Sequence, residues 1–122
     1  MEMKDDYETQ EHELIEVAMQ IILHAGDARI KTEEALEMAK SFDYASAQEK
    51  LAEAGECLRK AHIVQTEVIQ NETRGKSYEP CLLFNHAQDT LMTIMSEQKL
   101  ACQMVAMFAA FYNRMKEGHD AE

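Results

Sequence analysis

The chain has few of the residues that make turns. It contains one proline, Pro80, and four glycines (26, 55, 75 and 118) in 122 residues. Folds built from many short elements need more punctuation than this, so a few long helices are expected. Tryptophan is absent, and the three cysteines, Cys57, Cys81 and Cys102, are odd in number, far apart and without a Cys-x-x-Cys pair. That spacing excludes a disulfide framework or a zinc site and leaves buried, reduced thiols as the expectation. Basic residues are scarce: 12 Lys+Arg against 23 Asp+Glu give a formal net charge of −11. Phosphate backbones and anionic membrane surfaces would repel such a chain, so nucleic acid is not expected as a partner and a basic protein is. No apolar run approaches the ~18–20 residues of a membrane span. The longest compact one, Val17 to Leu23, is broken by Gln20. The start, Met1-Glu2-Met3-Lys4-Asp5-Asp6, lacks the basic and apolar regions of a signal peptide, which points to a cytoplasmic chain.

Hydrophobic residues make up 46% and charged residues 29%, as in a soluble globular domain, and the length suits a single domain over 1–122. Nine methionines stand in a body rich in Ala, Glu, Leu, Lys and Gln, all good helix formers. The first helical segment runs from about Thr9 to Ser41, with Leu14, Ile15, Ala18, Met19, Ile22, Ala25, Ala28, Ala35, Leu36 and Ala39 on one apolar face. Gly26 lies inside that pattern, where it permits close approach of a neighbour or a bend. Asp43 is an N-cap for the second segment, from Tyr44 to about Thr73, whose face is Ala47, Leu51, Ala54, Leu58, Ala61, Val64, Val68 and Ile69. Arg74-Gly75 ends it, with glycine in the left-handed position. Pro80 suits the first turn of the third segment, Cys81 to about Lys116, with Leu83, Ala87, Leu91, Ile94, Ala101, Val105, Phe108 and Tyr112 inward. Residues 1–8 and 118–122 are expected to be flexible tails.

Three helices of roughly 30 residues, each ~45 Å long, joined by short connections give an all-α, antiparallel up-down-up three-helix bundle. The third helix is apolar over too wide an arc for one core: Leu82, Leu83, Phe84, Met92, Ile94 and Met95 cannot all face inward. The excess implies an oligomer interface or a partner-docking patch.

There is no glycine-rich phosphate loop, no His-Glu-x-x-His and no Ser or Cys in a nucleophile setting. Histidines and carboxylates remain. His12 and His119 lie near the chain ends, and His24 and His62 lie mid-helix, where structural roles are the commoner ones. His86 has distinctive company: with Asp89 and Thr90, three and four residues on, it shares one helical face. Taken on spacing alone, an inert, hydrogen-bonded core histidine is the commoner reading of that arrangement and a working one the alternative.

The run His86-Ala87-Gln88-Asp89-Thr90-Leu91-Met92-Thr93 resembles the signature of the lactose/cellobiose family of enzyme IIA proteins of the bacterial phosphoenolpyruvate-dependent sugar phosphotransferase system. Ala25-Gly26-Asp27-Ala28-Arg29 resembles the family's first-helix motif, and Ala61-His62-Ile63-Val64-Gln65-Thr66-Glu67-Val68-Ile69 its second-helix motif. The resemblance implies a homotrimer in which His86 takes a phosphoryl group from the phosphocarrier HPr and passes it to a cysteine of enzyme IIB. It also implies that Asp89 meets its symmetry copies around one divalent ion, usually Mg2+, and that Gln88 and Thr90 support the active histidine. The sugar, of the lactose, cellobiose or chitobiose class, would not bind this chain, and the membrane would be reached only through the IIC permease. One departure stands out: Thr90 occupies a position where the family usually has a second histidine. It motivates an alternative, a regulatory or scaffolding relative with weak or no transfer. His62 is expected to make interhelical hydrogen bonds and Asp27 and Arg29 to form a polar contact, without a part in transfer.

Overall fold

The computed structural model describes the backbone of residues 2–120 and the side chains of residues 9–119. Three helices make up the chain: α1, Glu2–Lys40; α2, Tyr44–Thr73; and α3, Leu82–Asp120. Among the described residues there is no strand. The backbone is helical from Glu2 and again as far as Asp120, in stretches that carry no apolar rhythm; the tail residues Met1, Ala121 and Glu122 lie outside the described residues.

Each boundary has a local cause. α1 ends in a Schellman turn, in which the Phe42 N–H donates to the Ala39 carbonyl and the Asp43 N–H to the Met38 carbonyl, both at 3.0 Å. Phe42 occupies the left-handed position of that turn, with φ 65°. Asp43 is the N-cap of α2 as expected, its carboxylate accepting from the Ser46 N–H at 3.2 Å. α2 closes in the same way as α1, with Gly75 at φ 98° and the Lys76 N–H donating to the Asn71 carbonyl. Pro80 differs from the expectation. α3 begins at Leu82, and the Asn85 N–H donates to the Cys81 carbonyl, so Cys81 stands at the cap and proline just outside it.

The core is thin because its members are small. Ala18, Ala25, Ala28, Ala54, Ala61 and Ala87 are fully buried, letting the helices approach closely, and among the described residues only Ile21, Leu91, Ile94 and Val105 are large and wholly enclosed. One cluster fills the half near the start of α3; a second, of Ala35, Ala47, Leu51, Ala101 and Val105, fills the other half. Ile21 is a core residue that the spacing missed. Ile15, Met19, Ile69, Phe108 and Tyr112, expected inside, are exposed. The inward faces are narrower than the run of apolar residues suggested, because alanine-lined contacts leave room for one row of side chains. The thiols are free but only half-buried, where full burial was expected; the partial burial still pushes the Cys102 thiol up.

Cross-helix contacts fix how the elements lie. Glu13 pairs with Lys76 just after α2, and Glu34 with Lys50 near its start. Arg29 of α1 pairs with Glu97 of α3 at 3.3 Å, not with Asp27 as expected. Gln98 of α3 donates to the Leu51 carbonyl of α2 at 3.1 Å. Such half-exposed ion pairs contribute at most about 1 kcal/mol each, so they set register more than stability.

Candidate functional site

The site is positioned by the connection from α2 to α3. Tyr78 is held by the Asn71 side-chain amide, which donates to its hydroxyl at 3.2 Å, and by the Lys76 ammonium 5.0 Å over its ring. Lys76 is tied in turn to Glu13 at 3.1 Å, a bond that raises the lysine's pKa. This anchor aims the first turns of α3. Nothing in the spacing of the sequence announced it, since it sits in a connection where periodicity carries no signal.

His86 follows in the second turn of α3 and is exposed, so the expectation of a buried, inert core histidine does not apply. Its ring makes no hydrogen bond to a described residue. The positive end of α3 lies one turn away and favours added negative charge nearby. Asp89, also exposed, shares the face of His86, and its carboxylate pairs with no described cation. Thr90 lies on that face too, but its hydroxyl donates to the His86 carbonyl at 2.8 Å. Thr93 does the same to the Asp89 carbonyl at 2.8 Å. Thr90 therefore spends its one hydrogen on the backbone, not on the imidazole.

Gln88 is brought elsewhere. Two residues apart on a helix means nearly opposite sides, and Gln88 lines a cleft of about 300 Å³ with Val68, Glu72, Tyr78, Phe84 and Asn85, between α2 and α3. Within one chain it does not meet His86. His62 is exposed, and its contact is with Thr66 of the same helix at 3.5 Å, not across helices.

The apolar surroundings are extensive. Leu82 is 86% exposed; with Leu83, Ile15 and Cys81 it borders a depression of about 430 Å³ at the start of α3. Met92, one turn beyond Asp89, is also exposed. Chemically, the arrangement offers an accessible imidazole nucleophile on a rigid helix, edged by surface that a partner can cover. As for a metal, no group of three or more His, Cys, Asp or Glu side chains gathers among the described residues. One carboxylate does not fit a divalent ion, which takes about six oxygens, so Asp89 can serve only in company with other copies.

Comparison with known proteins gives this geometry a family. Residues 16–109 match the family described as PTS system, Lactose/Cellobiose specific IIA subunit. The chain is similar to the lichenan-specific phosphotransferase enzyme IIA component of Bacillus subtilis (strain 168), with 44% identity over 96 residues, 79% of this chain and 87% of that one. Among solved structures it is similar to PtcA from S. mutans, with TM-score 0.78, 36% identity, and coverage of 80% of this chain and 95% of that one. It is also similar to the IIA(Chitobiose) complex with HPr from the N,N'-diacetylchitobiose branch of the Escherichia coli phosphotransferase system, with TM-score 0.70, 31% identity, and coverage of 81% and 96%.

The chain belongs to the lactose/cellobiose-specific IIA family of the sugar phosphotransferase system. It is a phosphotransferase component that acts in sugar transport by relaying phosphoryl groups. None of its described helices is long and apolar enough to cross a membrane.

Proposed function

We propose that the chain takes a phosphoryl group from HPr on His86, passes it to a cysteine of enzyme IIB, and works in the cytoplasm as a parallel homotrimer of up-down-up bundles. The observation that carries the reading is the exposed imidazole of His86, bonded to no described residue, in a family of phosphoryl carriers. A neutral ring nitrogen attacks phosphorus, the P–N bond to the donor histidine breaks as the new P–N bond forms, and the product keeps its transfer potential. The IIB thiolate then displaces the ring. A loose phosphoryl transition state mainly needs alignment, which the rigid second turn of α3 supports. The acidic chain favours a partner that supplies the cations. HPr and IIB are the partners, the IIC permease is the membrane contact, and the sugar, a disaccharide of the lactose, cellobiose or chitobiose class, stays on other components.

The trimer is supported by apolar residues left outside a thin core, including Leu82 and Met92 on the Asp89 side of α3. It also gives Gln88 a place. In a parallel assembly the Gln88 flank of one α3 faces the His86 flank of the next copy. Three Asp89 carboxylates would then converge and repel, and Mg2+ held by them would offset that repulsion. Calorimetric titration of magnesium into the wild type and Asp89→Asn tests this, with heat expected only for the wild type.

Phosphoenolpyruvate, enzyme I and HPr should label the wild type, while His86→Ala takes no label and keeps its helicity. Label retained in that variant would end the assignment. The alternative, a regulatory relative, is favoured by the departure at Thr90. Onward transfer to a IIB cysteine at the pace of ordinary relay components excludes it.

A further inference from the structure

We infer that the depression at the start of α3 is a docking socket for the phosphoryl donor HPr, which seats an apolar side chain in it while cations around that side chain meet Glu11 and Glu79. The inference deepens the relay reading and rests on it.

One wall of the socket comes from α1, with Gln10, Glu11, Leu14 and Ile15, and the other from residues 79–83 at the root of α3. The lining is apolar at Leu14, Ile15, Cys81 and Leu83. The rim is acidic: Glu11 and Glu79 are exposed and pair with no described cation. Among the described residues no lysine, arginine or histidine lines it. Both walls are held in place. Leu14 is buried in the same core cluster as Phe84, Glu13 bonds Lys76 at 3.1 Å, and Asn71 holds Tyr78, the residue before Glu79. Ile15, which the periodicity of α1 placed inside, stays exposed on this wall. All four α1 residues of the wall precede residue 16, where the family match begins. This half of the socket therefore lies outside the matched region.

Two arguments select the donor. The first is reach. Leu83 stands three residues before His86, ~5 Å along α3 at a rise of about 1.5 Å per residue. A carrier bound over the histidine with a standard footprint of about 800 Å² covers a disc ~16 Å in radius, so the socket falls under it. The second is charge. A second copy would bring another acidic rim against this one, and the two would repel. A partner with cations around an apolar knob gains from burial of the knob and from the two carboxylates together. Upstream of the socket Glu2, Asp5, Asp6 and Glu8 stand against Lys4 alone, and the backbone of α1 runs on to Glu2. The same sign of charge thus continues past the start of α3, and such a field steers a basic carrier toward the histidine.

The test is the rate of His86 phosphorylation by the full chain as phospho-HPr is varied. Glu11→Lys/Glu79→Lys should raise KM for phospho-HPr at least about 10-fold, with less effect on kcat, and Ile15→Gln at least about 3-fold. Glu49→Lys/Glu67→Lys makes the same change of net charge at exposed positions on α2 and should stay within about 2-fold of wild type. Should the rim reversal lose helicity by circular dichroism, Glu11→Gln/Glu79→Gln replaces it, with KM raised at least about 3-fold. A helical rim variant with the KM of the wild type, or one no more affected than the α2 control, overturns the inference. Normal acceptance with slow onward transfer to the IIB cysteine overturns it too, since the socket would then serve the acceptor. A changed assembly state in sedimentation would give the socket to a second copy and overturn it as well. A wild type that takes no phosphoryl group from HPr removes the relay reading and the inference together.

Discussion

Phe42 is the residue at which local cost and tertiary gain can be weighed directly. It occupies the glycine position of the turn that ends α1, and a side chain in that conformation costs about 1 kcal/mol. Its ring recovers that by stacking on Tyr112. Phe42→Ala keeps the strain and loses the stack, so it should destabilise by about 1–2 kcal/mol. Phe42→Gly loses the stack and the strain together and should be about 1 kcal/mol more stable than the alanine variant in urea denaturation. Equal midpoints for the two would mean that the turn is not strained. Thr90 is a second case. Because its hydroxyl bonds the His86 carbonyl and not the ring, Thr90→Val should shift stability by less than about 1 kcal/mol and leave phosphoryl acceptance within a few-fold of wild type. A loss of 100-fold would place the hydroxyl in the transfer itself.

At the scale of the helix, most of the architecture was legible. Scarce glycine and proline, the Asp43 cap and the Gly75 terminator marked the three elements, because capping chemistry is local and leaves its residues in order. The inward faces were less legible. Ile15 and Met19 extend the apolar pattern of α1 yet are exposed, while Ile21 is enclosed. Periodicity finds an apolar stripe but not which part of it a partner covers. Within the site, the shared face of His86, Asp89 and Thr90 followed from spacing. The separate side taken by Gln88 follows from it too, once position is counted from His86. The Tyr78 anchor could not be read, since it lies in a connection where periodicity carries no signal, nor could the Arg29–Glu97 pair, which joins residues distant in sequence. Gly26 bears on α1 itself. A Cβ there would meet nothing within 4 Å, so Gly26→Ala should add about 0.5–1 kcal/mol to the stability of the folded chain in thermal or urea melts. A destabilised variant would reveal a neighbour seated against that backbone in the assembly.

The whole molecule has the economy of a carrier. Among the described residues, half of the buried apolar positions are alanine and sixteen large apolar side chains are exposed, and the chain's charge is −11. A chain of this kind leaves apolar outer faces that a partner or a further copy can cover. It needs no substrate pocket, because the group it handles is passed between proteins. The family supplies the activity, and the exposed histidine of α3 is the place proposed for it. The most direct measurement is intact mass after incubation with phosphoenolpyruvate, enzyme I and HPr, made on the wild type, His86→Ala, His24→Ala and His62→Ala. One acid-labile phosphoryl group on all but the His86 variant is the predicted result; a group retained by His86→Ala, or lost only with another histidine, would contradict the account.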